Sequence, residues 1–322
     1  MSRLSGPFLI MLFALVSALR DVYLGEVFQN NADVFFVAMT AFSTCSAFFL
    51  VWSALADRGQ LRMLLAHPGS LLWMNVTTAL AWIFYLLALR TLEPLFVNML
   101  WAVTGPLTVV ALDILGIRIE GSGRIGRVER WFQAGNLLSL VFLVSILLGG
   151  RTGVPYQGQK TAWVGVSLTI ASGASSAIGI LFSKRLHDQG IGARPVMATR
   201  FVGTSVLAAF VLLAGGSAEP TVSLEPARWA SVVAASGVLV ALPIYVFQAG
   251  MRRTTPMTAE VILASSPILV FVLQSFDKQV AFAPYSLVAV LLYVVFSAAG
   301  LVARAMSEAF ETPPSGGGER GA

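Results

Sequence analysis

Residues 75–113 read NVTTALAWIFYLLALRTLEPLFVNMLWAVTGPLTVVALD, two apolar runs joined by Arg90-Thr91-Leu92-Glu93-Pro94, with Pro106 inside the second run. Residues 245–277, YVFQAGMRRTTPMTAEVILASSPILVFVLQSFD, repeat the arrangement around Arg252-Arg253-Thr254-Thr255-Pro256 and carry Pro267 in the second run. Pro94 and Pro256 stand 162 residues apart, and Pro106 and Pro267 stand 161 apart, which is half of the 322-residue chain. Similarity at that period predicts two copies of one unit. A proline inside a helix frees a backbone carbonyl, and lipid tolerates this only where neighbouring helices or a water-filled cavity satisfy it again. A helix break is therefore expected in each copy, at Pro106 and at Pro267.

Composition fixes the class. Hydrophobic residues make up 57% of the chain and charged residues 11%, with a mean hydropathy of +0.79, far from the average of soluble domains. An all-α integral membrane protein is expected. The pI near 9.7 comes from 21 basic residues scattered through short loops, which suits membrane topology better than nucleic-acid binding. Cys45 is the single cysteine and lies in an apolar run, so a disulfide framework or cysteine-based zinc site is excluded. His67 and His187 fall in loops, leaving no histidine for a proton relay within the membrane.

Runs of about 20 apolar residues match the thickness of a bilayer core. Such runs predict ten spans, at 7–27, 34–55, 70–89, 94–116, 131–149, 161–183, 196–215, 229–250, 256–276 and 284–304. Alternating sides along these spans places 14 basic residues with the N-terminus and only Arg90, Arg151, Lys160, Arg228 and Lys278 opposite. By the positive-inside rule both termini face the cytoplasm. Five spans per unit is an odd number, so the second copy enters the membrane inverted, an arrangement that places a binding site near the midplane between the halves. The units are residues 1–150 and 151–306, followed by a tail at 307–322, rich in proline and glycine and expected to be disordered. Arg3 and the apolar run from Pro7 to Leu19 also fit a cleavable signal peptide, but cleavage would leave nine spans and destroy the symmetry.

Residues 79–106, an apolar helix, the Glu93-Pro94 hinge and a helix with a central proline, resemble the EamA-like branch of the drug/metabolite transporter superfamily. Val196-Met197-Ala198-Thr199-Arg200-Phe201 is similar to the Arg-Phe element that opens the second helix of that family's repeat, and Pro267 followed by Asp277 is similar to its proline and later acid. The resemblance covers nearly the whole chain through short, degenerate motifs. It implies ten helices in two inverted five-helix repeats around a central cavity, in the bacterial inner membrane, exporting a small molecule. Three departures bear on the substrate: Ala41 stands where the second copy has Arg200, neither Asp113 nor Glu120 matches the spacing of Asp277, and Arg20-Asp21 charges a first helix that is usually uncharged there.

A charge inside a span costs at least a few kcal/mol and marks a pathway or a paired site. Arg20 and Asp21 are such charges. As neighbours on a helix they point about 100° apart, so they are not expected to pair side by side; either they contact a substrate or coupling ion, or Arg20 serves a structural ion pair. Glu260 shares a face with Ala264 and Pro267 and is read either as a proton carrier or amine ligand, or as a dipole-stabilised acid near Arg252 and Arg253. Arg200 reads mainly as a structural partner of a carboxylate or carbonyl. Polar and aromatic stripes, Asn75, Thr78, Trp82 and Tyr85, then Asn98, Trp101 and Gly105, then Tyr245 and Gln248, either line a cavity or pack at helix interfaces. Ser172, Gly173, Ser175, Ser176, Ala177 and Gly179 form small-residue patterns suited to close helix packing.

Gly121-Ser122-Gly123-Arg124-Ile125-Gly126 matches a dinucleotide fingerprint but lacks the preceding strand and the later acid, and no hydrolase or Walker A pattern occurs. No enzyme activity, cofactor or metal is expected. The sequence supports an exporter of a small polar or zwitterionic, amino-acid-like metabolite, working by alternating access, with protons a candidate coupling ion and lipid the surrounding partner. Arg20, Asp21, Trp82, Tyr85, Asn98, Trp101, Tyr245, Gln248 and Glu260 are its expected substrate or coupling residues. An importer or exchanger of the same fold, or an intramembrane enzyme or lipid-handling protein using Asp21 and Glu260, stands as the alternative.

Overall fold

A computed structural model describes residues 5–30, 32–115, 127–153, 158–215, 226–251, 262–263, 265–277 and 280–311. Among them the secondary structure is helical, with no strand. The elements are α1 (Ser5–Gln29), α2 (Val34–Ala56), α3 (Arg58–Leu65), α4 (Pro68–Thr91), α5 (Pro94–Ile114), α6 (Arg127–Leu148), α7 (Gln159–Asp188), α8 (Ala193–Arg200), α9 (Val202–Leu213), α10 (Pro226–Met251), α11 (Ser266–Gln274) and α12 (Pro284–Glu311). Among the described residues seven helices, counting α8 and α9 as one, are long and apolar enough to cross a membrane, and shorter apolar stretches lie at Ala134–Leu148 and Pro284–Ala299. The chain is thus a helical bundle of membrane type.

Local chemistry sets the helix ends. The Asp33 side chain accepts a hydrogen bond from the Phe36 amide at 2.8 Å and caps α2. Pro68 opens α4, where a missing N–H costs nothing. Leu92 is extended (φ −124°, ψ 158°) and Pro94 starts α5, so Glu93 forms a tight hinge between two spans.

Two ends of the bundle can be told apart by what touches there. At one end the C-terminus of α1 meets that of α4, since Gln29 Nε2 donates to the Leu89 and Leu92 carbonyls at 3.3 and 3.2 Å. The loop after α6 and the C-terminus of α11 join them through Glu93. We call this the hinge end. At the opposite end, Asp57 and Gln60 beside α3 meet Gly192 and Arg194 at the start of α8. Between the ends lie Phe28, Phe42, Phe49, Phe96 and Phe201, all fully buried. Val202, Val206, Phe210 and Leu213 of α9 stay exposed, as expected where lipid replaces water.

The small-residue pattern on α7 serves close packing. A methyl group added at Gly173 would lie 2.8 Å from Thr104 Cβ and 3.0 Å from the Trp101 carbonyl, and one at Gly179 would meet Thr77. Ser172 Oγ donates to the Ala81 carbonyl at 2.7 Å, tying α7 to α4.

Two expectations change. The helix is not broken at Pro106: α5 runs through it, with the proline on an exposed face. At Pro267 the interruption is found: α11 begins at Ser266 after a turn at Ser265, with the proline in its first turn, where it is tolerated best. An interruption that no proline announces separates α8 from α9 at Phe201 (φ −102°, ψ 0°). At the other terminus α12 continues to Glu311, five residues into the stretch expected to be a disordered tail, because Ala303–Phe310 holds good helix formers and Pro313 comes only later. Residues 312–322 lie outside the described residues.

Candidate functional site

Arg20 and Asp21 sit past the middle of α1 and are both buried. Contrary to the expectation from helix geometry, they do pair. Arg20 Nε and Nη2 donate to Asp21 Oδ1 at 2.9 and 2.7 Å. The Arg side chain is long enough to arc back across the turn between the two Cβ directions, and its fork closes on a single oxygen. The other oxygen, Oδ2, accepts from Asn98 Nδ2 of α5 at 2.9 Å. Asn98 Oδ1 is buried and has no partner among the described residues.

The face of α4 completes this pocket. The Arg20 guanidinium lies 5.0 Å from the Trp82 ring centre and 5.7 Å from that of Tyr85, within cation–π range. Trp101 stands edge-on to Tyr85 at 6.2 Å. Five residues expected from sequence, Arg20, Asp21, Trp82, Tyr85 and Asn98, therefore make one cluster, with Trp101 at its rim. Phe42 and Phe201 extend the aromatic wall, at 5.0 and 6.4 Å from Trp82.

The remaining sequence candidates fall elsewhere. Tyr245 packs on Phe49 and Trp52 at 5.7 and 5.6 Å, and Phe49 lies two helical turns, about 10 Å, beyond Phe42 along α2. Gln248 is on α10, with its side chain outside the described residues, and Glu260 lies outside them altogether. Arg200 ends α8 and donates from Nε to Thr78 Oγ1 at 3.3 Å, so the partner expected to be a carboxylate or carbonyl is a hydroxyl.

Sequence reasoning passed over Glu93. This carboxylate is fully buried: Oε2 accepts from the Gly153 amide at 2.8 Å and Oε1 from Gln274 Nε2 at 2.6 Å. It links the hinge of residues 75–113 to the helix that ends the 245–277 stretch. Burial raises its carboxyl above the ordinary 4.5, while the two hydrogen bonds pull it back. The signal was available, since an acid between two long apolar runs has no water to face. At the far end Arg194 Nη1 pairs with Asp57 Oδ2 at 3.0 Å and covers the Trp52 ring at 4.6 Å. Gln60 Oε1 accepts from the Gly192 amide at 2.9 Å. A polar pocket lined by Ser70, Arg185, Asp188 and Gln189 opens at this end, away from the Arg20 cluster.

No protein-family model matches the chain, and no curated protein matches it. Among solved structures it is similar to one described as "Crystal structure of protein", at 20% sequence identity, covering 94% of this chain and 99% of that one with a TM-score of 0.62. That likeness establishes a shared fold and nothing about activity. Among the described residues no group of three or more His, Cys, Asp or Glu is placed to hold a metal ion.

Proposed function

We propose that the protein is a secondary transporter that exports a small polar or zwitterionic metabolite by alternating access. In this reading ten spans, formed by α1, α2, α4, α5, α6, α7, α8 with α9, α10, the span containing α11, and α12, make two inverted repeats at 1–150 and 151–306. Both termini face the cytoplasm and the hinge end faces outward, as the uneven spread of basic residues favours.

The observation that supports this most is the Arg20–Asp21–Asn98 cluster within a bundle of apolar helices. Charges kept inside a membrane protein mark a pathway more often than a fastening. Two contact sets fit the roles of alternate gates: Glu93 with Gln274 and Gly153 at the hinge end, and Asp57 with Arg194 at the other. Releasing one set while the other holds would open the cluster to one side at a time. Proteoliposomes loaded with a panel of amino acids and related metabolites provide the test. Saturable efflux of a panel member that falls in Asp21→Asn supports the carrier. Equal flux in both orientations would favour an exchanger, uptake against a gradient an importer, and product formation without flux an intramembrane enzyme.

A further inference from the structure

The cluster around Arg20 is electrically complete, whereas Arg200 is not. Among the described residues its only hydrogen bond is the 3.3 Å contact to Thr78, and none of their carboxylates lies within salt-bridge distance. A guanidinium carries five N–H donors and keeps its charge in protein, so most of its donors are unused. Along α8 and α9, Arg200 points away from Val202, Val206 and Phe210, the exposed apolar residues, and toward α4. Protein surrounds it, yet it keeps partial accessibility. Its guanidinium is thus turned toward the α4 side of the bundle.

The groups near Arg200 in the chain suit an acid. Thr204, in the first turn of α9 just past the interruption, is fully buried, and its hydroxyl has no partner among the described residues. The aromatic wall of Trp82 and Phe201 stands next to Thr78 and Arg200 in sequence on α4 and α8. The backbone is interrupted immediately after Arg200, at Phe201. A break in a membrane helix is tolerated where it lines a cavity.

We infer that Arg200 is a carboxylate-binding subsite, with Thr78 and Thr204 as hydroxyl partners, so that the transported metabolite bears a free carboxylate. This rests on the transporter reading and names its substrate class. A bidentate guanidinium–carboxylate contact would fill the unused donors and pair the Arg200 charge at each loading step. The empty carrier would keep its cation, which disfavours return in the wrong state.

The test uses the full-length protein in nanodiscs of phosphatidylcholine alone, so that no anionic lipid competes. The probes are L-phenylalanine, L-leucine, L-threonine and L-methionine, each beside its methyl ester and the amine lacking the carboxyl group. Thermal shift and equilibrium binding should show at least one free acid bound roughly 10- to 100-fold more tightly than its ester. Arg200→Gln should abolish that preference and Arg200→Lys should restore part of it. Thr204→Val should weaken binding with the fold intact, which covers the case of a misfolded Arg200→Gln. Equal binding of acid and ester, an undiminished preference in Arg200→Gln, or no binding by any acid in the panel overturns the subsite. Flux in proteoliposomes separates the two claims: transport of amines or esters alone sinks the subsite and leaves the carrier, while acid binding without flux sinks the carrier and leaves the subsite.

Discussion

Two arginines lie along one face of α4 and are treated in opposite ways. Arg20 is held by a carboxylate at 2.7 Å, which a second helix fixes through Asn98, and two aromatic rings cover it. Arg200, beside Thr78 one turn from Trp82, has a single long contact to a neutral hydroxyl. Burying an ion without its partner costs several kcal/mol, so a chain selected for stability alone would neutralise both or neither. The difference teaches that the Arg20 pocket is finished in the protein itself, while the Arg200 pocket is finished by something that comes and goes. Unspent electrostatic capacity is a mark of function.

Removing the acid tests the finished pocket hardest. Asp21→Ala leaves Arg20 buried and uncompensated, for an expected loss of about 3–5 kcal/mol. The double change Arg20→Met with Asp21→Leu should lose far less, because both charges leave together. Equilibrium unfolding from mixed micelles measures both. If the double variant is as unstable as the single one, the pair is not a coupled unit and the contrast fails. Asn98→Leu comes next. It removes a 2.9 Å hydrogen bond to an ionised group, worth about 1.5–3 kcal/mol, and also disposes of the unpartnered Asn98 Oδ1, which offsets part of the loss.

The same substitution logic reverses sign in the other pocket. Arg200→Met keeps an apolar stem of similar length and removes an unpaired charge, so stability should hold or rise by about 1 kcal/mol while acid binding disappears. A loss of stability comparable to that of Asp21→Ala would make Arg200 a fastening after all.

The bundle itself was legible from sequence. Apolar length set the spans, and among the described residues seven helices long enough to cross a bilayer fall on seven of the ten expected stretches. Proline proved a poorer guide. Pro267 does stand where α11 begins after a turn, but Pro106 was absorbed on an exposed face, and the interruption at Phe201 came from a sequence with no breaker. Pairing was the least legible feature. Neighbouring Cβ directions on α1 argued against an Arg20–Asp21 bond, since periodicity describes where side chains start and not how far a long one reaches. Glu93 finds its partners 60 and 181 residues away, a closure that no local pattern encodes.

The finest discrimination between the pockets comes from Thr78→Val, which removes the hydroxyl beside Arg200 and preserves side-chain shape. A hydrogen bond to a charged group would ordinarily make this costly, as at Asn98. At 3.3 Å, however, the contact is beyond the usual N–H···O range and contributes little to holding the cation. The expected change in unfolding free energy is within about 0.5 kcal/mol of wild type. Acid binding should weaken all the same, because the hydroxyl gains its importance when a carboxylate draws the guanidinium and the threonine together. A stability loss near that of Asn98→Leu would mean that Thr78 already anchors Arg200, and the two pockets would then be alike.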